Sequence, residues 1–168
     1  QRNFLPLLLS SFRKEFGDNI VFDIHQATTY SCIKGIQDGK LDVAFCGKLQ
    51  DKRDISYIPM LTQNLVVGVD TSHELARRKS ISLEELKKYN LVSYRAESYA
   101  STILEGLFRR AELSPKQGFN DEISAASLVC AEKNVVAVML ETLDDHNIEG
   151  FVSIPIEEVR DPFHIIYL

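Results

Sequence analysis

Two aspartates, Asp38 and Asp42, stand four apart in "IQDGKLDVAF". Paired carboxylates at close spacing do acid–base chemistry or hold a metal ion. The same spacing around Gly39 and Lys40 also suits a turn between a helix and a strand, with Gly39 in the left-handed conformation. Asp144, Asp145 and His146 form a second acid–imidazole group. Three adjacent loop residues rarely present their ligands to one ion, and no fourth partner is in view. His25, His73, His146 and His164 lie in neither a Gly-x-Ser-x-Gly nor an HExxH setting, and the chain has no P-loop and no GxGxxG. The sequence therefore gives no catalytic constellation, no metal site and no cofactor motif.

Hydroxyls and charges at the starts of helices offer a different chemistry. Three segments, "HQATTYS", "SYRAESYAS" and "FNDEISA", each follow a strand-like run and open a helix-like one. Backbone N–H groups at a helix start lack intrahelical acceptors and attract anions or polar ligand atoms. Thr28 and Thr29 either cap the first such helix or donate to a bound ligand. Tyr94 and Arg95 are placed to close over a small acid, Arg95 by a bidentate carboxylate contact; alternatively Arg95 is a surface arginine paired with Glu97. Ser98 caps the helix or meets the ligand. Asp121 and Ser124 cap the next helix, and Asp121 or Glu122 also suits an amino or hydroxyl group.

These loops need elements to hold them. Leu5, Leu8, Leu9, Phe12 and Phe16 share one helical face, ended by Gly17. Ile20 to His25 and "LDVAFC" (Leu41 to Cys46) read as strands, with the helix "TTYSCIKGIQD" between them. "DISYIPML" and "LVVGV" follow as strands. Ser82 with Glu85 three residues on is a capping box for "SLEELKKY". Next come a strand at "NLVSY", a long amphipathic helix at "SYASTILEGLFRRAEL", a strand at "QGFNDE" and a helix at "SAASLVCAEKN". Strands at "VVAVML", "FVSIPI" and "FHIIYL" complete the order. This alternation is that of an α/β fold with mainly parallel sheets, whose unbroken apolar runs are buried on both faces. Ligands of such sheets sit at the carboxyl ends of strands.

The totals agree with a binding role. The chain has 168 residues, 45% hydrophobic and 26% charged, which suits one domain or two small lobes. A net charge of −5 argues against direct nucleic-acid binding by this segment. "ARRK" and "FRR" are short solvated patches. Cys32, Cys46 and Cys130 are odd in number, apolar in setting and without short spacing, which fits a reduced cytoplasmic protein. No apolar run reaches membrane-spanning length.

The order of elements resembles the effector-binding domain of LysR-type transcriptional regulators. The carrying segments are "FLPLLLSSFRKEFGDNIVFDIHQATTYSCIKGIQDGKLDVAF", "ISYIPMLTQNLVVGVDTSHELARRKSISLEELKKYNLVSY" and "ISAASLVCAEKNVVAVML". The middle one holds the family's His-x-Leu-Ala run at His73, Leu75 and Ala76, with Ile81, Ser82, Leu83 and Leu86 behind it. The sequence departs from the pattern at "CAEKNVV", where Asn134 stands in a loop that usually carries glycines.

The resemblance implies two Rossmann-like lobes joined by two crossover strands, similar to type 2 periplasmic binding proteins. Lobe I would be 1–61 plus 142–168 and lobe II 62–141, with crossovers near Pro59–Thr62 and Met139–Thr142. It implies a small-molecule effector in the interlobe cleft and singles out Thr29 as a contact. It also implies a homodimer or tetramer built on the first helix and the strand at Ile20–His25. DNA would be bound only through a winged helix-turn-helix domain upstream of Gln1. A solute-binding protein of a transporter is the alternative with the same lobes.

Overall fold

The computed structural model describes residues 4–50, 54–141, 148–159 and 162–168. Its larger sheet has the order β4-β3-β5-β2-β6. These strands are β2 (Leu65–Asp70), β3 (Asn90–Tyr94), β4 (Lys116–Phe119), β5 (Val135–Leu140) and β6 (Phe151–Pro155). Helix α4 (Tyr99–Ala111) carries the chain from β3 to β4, and helix α5 (Glu122–Ala131) carries it from β4 to β5. Helical connections return a strand in the same direction, so β3 is parallel to both β4 and β5. Strand β2 runs against β5 and β6. The sheet is therefore mixed, where the sequence reading expected a mainly parallel one.

Every residue of β2 and β5 is buried, as their unbroken apolar runs require. Val67, Val69, Val136, Val138 and Met139 make the centre of the core. Leu104 of α4 and Ala125, Ala126 and Val129 of α5 pack against it. Helix α3 (Leu83–Leu86) adds Leu86 and starts at the expected capping box: Ser82 accepts from the Glu85 N–H, and the Glu85 carboxylate accepts in return.

A second, smaller sheet pairs β1 (Pro59–Gln63) antiparallel with β7 (His164–Tyr167), matching Gln63 to His164 and Pro59 to Tyr167. Helix α2 (Thr29–Gln37) covers a small core of Cys32, Ile33 and Cys46 nearby. Helix α1 (Phe4–Phe16) precedes it and buries none of its residues fully.

Two expected strands are corrected. Ile20–His25 forms no strand ladder with any of the described residues, and Val21 is 89% exposed. Of Leu41–Cys46 only Cys46 pairs, in one bridge to Tyr167, and Val43 is exposed. Strand propensity expresses packing on neighbours: no described strand pairs with Ile20–His25, and β7 meets Leu41–Cys46 only at its last residue. β6 pairs with β2 in the larger sheet, and β7, which follows it, pairs with β1 in the smaller one. The run "VVAVML" fits a central strand as well as a crossover, and sequence pattern alone does not separate the two.

Candidate functional site

The two paired acids shape a turn. Asp38 is the C-cap of α2, with its carboxylate 3.1 Å from Lys34 Nζ, and Gly39 takes a φ of +66°. Asp42 is exposed. The Asp144–His146 group lies outside the described residues.

Three of the predicted loop residues are N-caps. Thr28 Oγ1 accepts from Ser31 N at 3.2 Å, Ser98 Oγ from Ser101 N at 3.0 Å, and Asp121 Oδ1 from Ser124 N at 2.8 Å. Ser124 Oγ also donates to Asp121, at 3.0 Å. Thr29 does something else: its hydroxyl accepts from Gly47 N at 3.3 Å, joining the start of α2 to the chain beyond Cys46.

The other candidates divide. Tyr94 is buried, and its ring packs edge-on against Phe119. Its hydroxyl donates to Glu122 Oε1 at 2.6 Å and accepts from Leu140 N at 2.9 Å. Tyr94 thus ties β3, α5 and the end of β5 together. Burial pushes the Glu122 carboxyl above the usual carboxylate range, against the lowering effect of the Tyr94 bond. Arg95 and Glu97 are both exposed, and no ion pair joins them.

The structure brings α2 and α4 together through residues that sequence reading passed over. Tyr30 Oη lies 3.3 Å from Thr102 Oγ1. Tyr99, first residue of α4, donates its hydroxyl to the Lys48 carbonyl at 3.1 Å. A Cβ at Gly47 would collide with the Tyr99 ring, so glycine there allows the close approach. The same ring stands 5.6 Å from His164 and 6.4 Å from Tyr30, centroid to centroid. Lys48 Nζ lies over Tyr57 at 5.3 Å and over Tyr167 at 5.8 Å. An aromatic cluster thus sits where the α2 side meets the larger unit. The available signal was a tyrosine directly after an N-cap serine, and an isolated glycine after a buried run. Neither has meaning until the topology sets them face to face.

A separate concavity of about 360 Å³ lies on the larger unit alone, among Ser93, Ser101, Glu105, Phe108, Arg109 and Leu113.

The thiols are not poised for redox chemistry. Burial, then the neighbouring Cys32, pushes Cys46 up to about 11, and burial raises Cys32 and Cys130 as well.

Residues 1–168 match the family described as the LysR substrate binding domain. The chain is 28% identical over 129 residues to an uncharacterized HTH-type transcriptional regulator, YybE, of Bacillus subtilis (strain 168), covering 76% of this chain and 44% of that protein. It is 31% identical over 117 residues to the HTH-type transcriptional regulator CysB of Haemophilus influenzae, covering 68% and 35%. The chain thus spans less than half the length of these curated relatives. The effector-binding domain of QuiR, solved in complex with shikimate, superposes with a TM-score of 0.84 at 26% identity, over 98% of this chain and 78% of that one.

Proposed function

The chain belongs to the LysR substrate-binding-domain family, and on that premise we propose that it is the effector-sensing part of a bacterial transcription regulator. A small organic molecule enters between the two lobes and changes the angle between them. The observation that carries this reading is the meeting of the α2 and α4 starts: Thr29 on Gly47, Tyr99 on Lys48 and Tyr30 on Thr102. Free backbone N–H groups at helix starts favour an acid, and a relative at 26% identity solved with shikimate supports that class. Lobe I then consists of the chain up to Gln63 together with β7, and lobe II runs from Leu65 to Ile156.

Thr28, Thr29, Arg95, Glu97, Ser98, Asp121 and Ser124 line or border the cleft in this reading, and Tyr94 supports it from behind. A ligand shifts the lobe angle only by its difference in affinity for the two states. The domain does no chemistry of its own, and its family is one of regulators and not of enzymes. Family membership also favours regulation over the transporter alternative. In the full-length protein the signal passes to a DNA-binding domain ahead of this segment, in the cytoplasm. No described helix is long and apolar enough to cross a membrane.

Helix α1 and the chain after it supply the surface for a homo-oligomer. Leu7 is 69% and Phe16 61% exposed, with Phe12, Val21 and Ile24 beside them in exposure. An apolar face of this kind marks an interaction site.

A thermal-shift screen of small organic acids tests the central reading. Binding should raise the melting temperature of the wild type, and Thr29→Val and Arg95→Ala should each weaken the response. Unchanged responses in both variants would rule out this placement of the site.

A further inference from the structure

His164 opens β7 at the junction of the two lobes. Its Nδ1 lies 2.9 Å from Gln63 Oε1, and Gln63 Nε2 donates to the Glu141 carbonyl at 3.1 Å. A carbonyl only accepts, so the amide nitrogen of Gln63 faces Glu141 and the amide oxygen faces His164. That oxygen also only accepts, so Nδ1 carries the imidazole proton. Burial holds the imidazole below its ordinary pKa, which keeps a second proton off. Nε2 is therefore a lone pair. It is shielded from solvent, and no group among the described residues donates to it. A buried acceptor without a donor is costly, and such atoms occur where a ligand supplies the missing partner.

The imidazole sits beside the contact between the α2 side and α4. The Tyr99 ring lies 5.6 Å from it, centroid to centroid and tilted by 55°, and Tyr99 also bonds to the Lys48 carbonyl.

We propose that His164 Nε2 is the donor-reading group of the effector site, selecting small acids that carry a hydroxyl or N–H over their unsubstituted counterparts. The ligand parts Tyr99 from Lys48 as it reaches Nε2, and the Gln63–Glu141 pair holds the imidazole in its accepting tautomer. This deepens the cleft reading above and rests on it.

The test uses matched acids that differ by one hydroxyl: mandelate with phenylacetate, lactate with propionate, malate with succinate. Isothermal titration of the wild type should favour the hydroxylated member of a binding pair by on the order of tenfold, the worth of one hydrogen bond to an otherwise orphaned buried acceptor. Asparagine reproduces Nδ1–H toward Gln63 but offers nothing at Nε2, so His164→Asn should bind both members equally. Glutamine places an acceptor oxygen near the Nε2 position, so His164→Gln should restore the preference. Nitrogen NMR of the ligand-free protein should show Nδ1 protonated and Nε2 bare. If no acid of the panel binds, the cleft reading falls and this inference with it. If acids bind with no hydroxyl preference, or Nε2 carries the proton, only the role of His164 is overturned.

Discussion

Tyr94 and Glu122 form a partly buried hydrogen bond whose contribution depends on pH. Burial raises the folded-state pKa of Glu122 above its unfolded value, so folding favours the protonated carboxyl. That contribution is complete at pH below the ordinary carboxylate range and is lost as pH rises through the raised value. Urea unfolding midpoints across this interval should therefore fall with rising pH, and Glu122→Gln should flatten the slope while keeping an acceptor for Tyr94. Tyr94→Phe leaves the Leu140 N–H and the Glu122 carboxyl without their partner. It should cost about 1–3 kcal/mol in the same measurement. The sequence marked Tyr94 as a ligand contact because it ends a strand before a helix. Which face of that strand is the core depends on α5, and no local pattern reveals it. The cysteines were easier to read, since each lies within an apolar run. Folded protein treated with iodoacetamide at mildly alkaline pH should label Cys130, the partly exposed thiol, well before buried Cys32 and Cys46.

Elements with complete local signals formed where the sequence placed them. Ser82 and Glu85 specify their helix start by two reciprocal bonds within four residues, and nothing distant is needed. The caps at Thr28, Ser98 and Asp121 follow the same logic. The two expected strands before β1 failed because a strand is completed by a neighbour. Ile20–His25 has the right residue types and no described ladder partner. This difference should appear in hydrogen exchange. The amides of residues 20–27 and 42–45 should exchange early, whereas Val135–Leu140, buried throughout between β2 and β3, should be among the last. Early loss of protection in β5 would contradict the central place given to that strand.

At the scale of the whole molecule, the question is what holds the lobes together before a ligand arrives. Local pattern names neither partner, since Gly47 and Tyr99 are 52 positions apart and each is ordinary alone. Their contact has a specific signature. Gly47→Ala puts a methyl where the Tyr99 ring lies, so the ring must move and its bond to Lys48 must lengthen or break. Tyr99→Ala removes the ring and the bond together, and it leaves room for the same methyl. The two changes act on one contact and should not add. Each single variant should lower stability and raise the radius of gyration in small-angle scattering. The double variant should be no worse than Tyr99→Ala, giving a coupling energy on the order of 1 kcal/mol. Additive losses would mean that the two positions act through separate contacts. A compact Tyr99→Ala protein would mean that β1 and β7 alone fix the angle between the lobes.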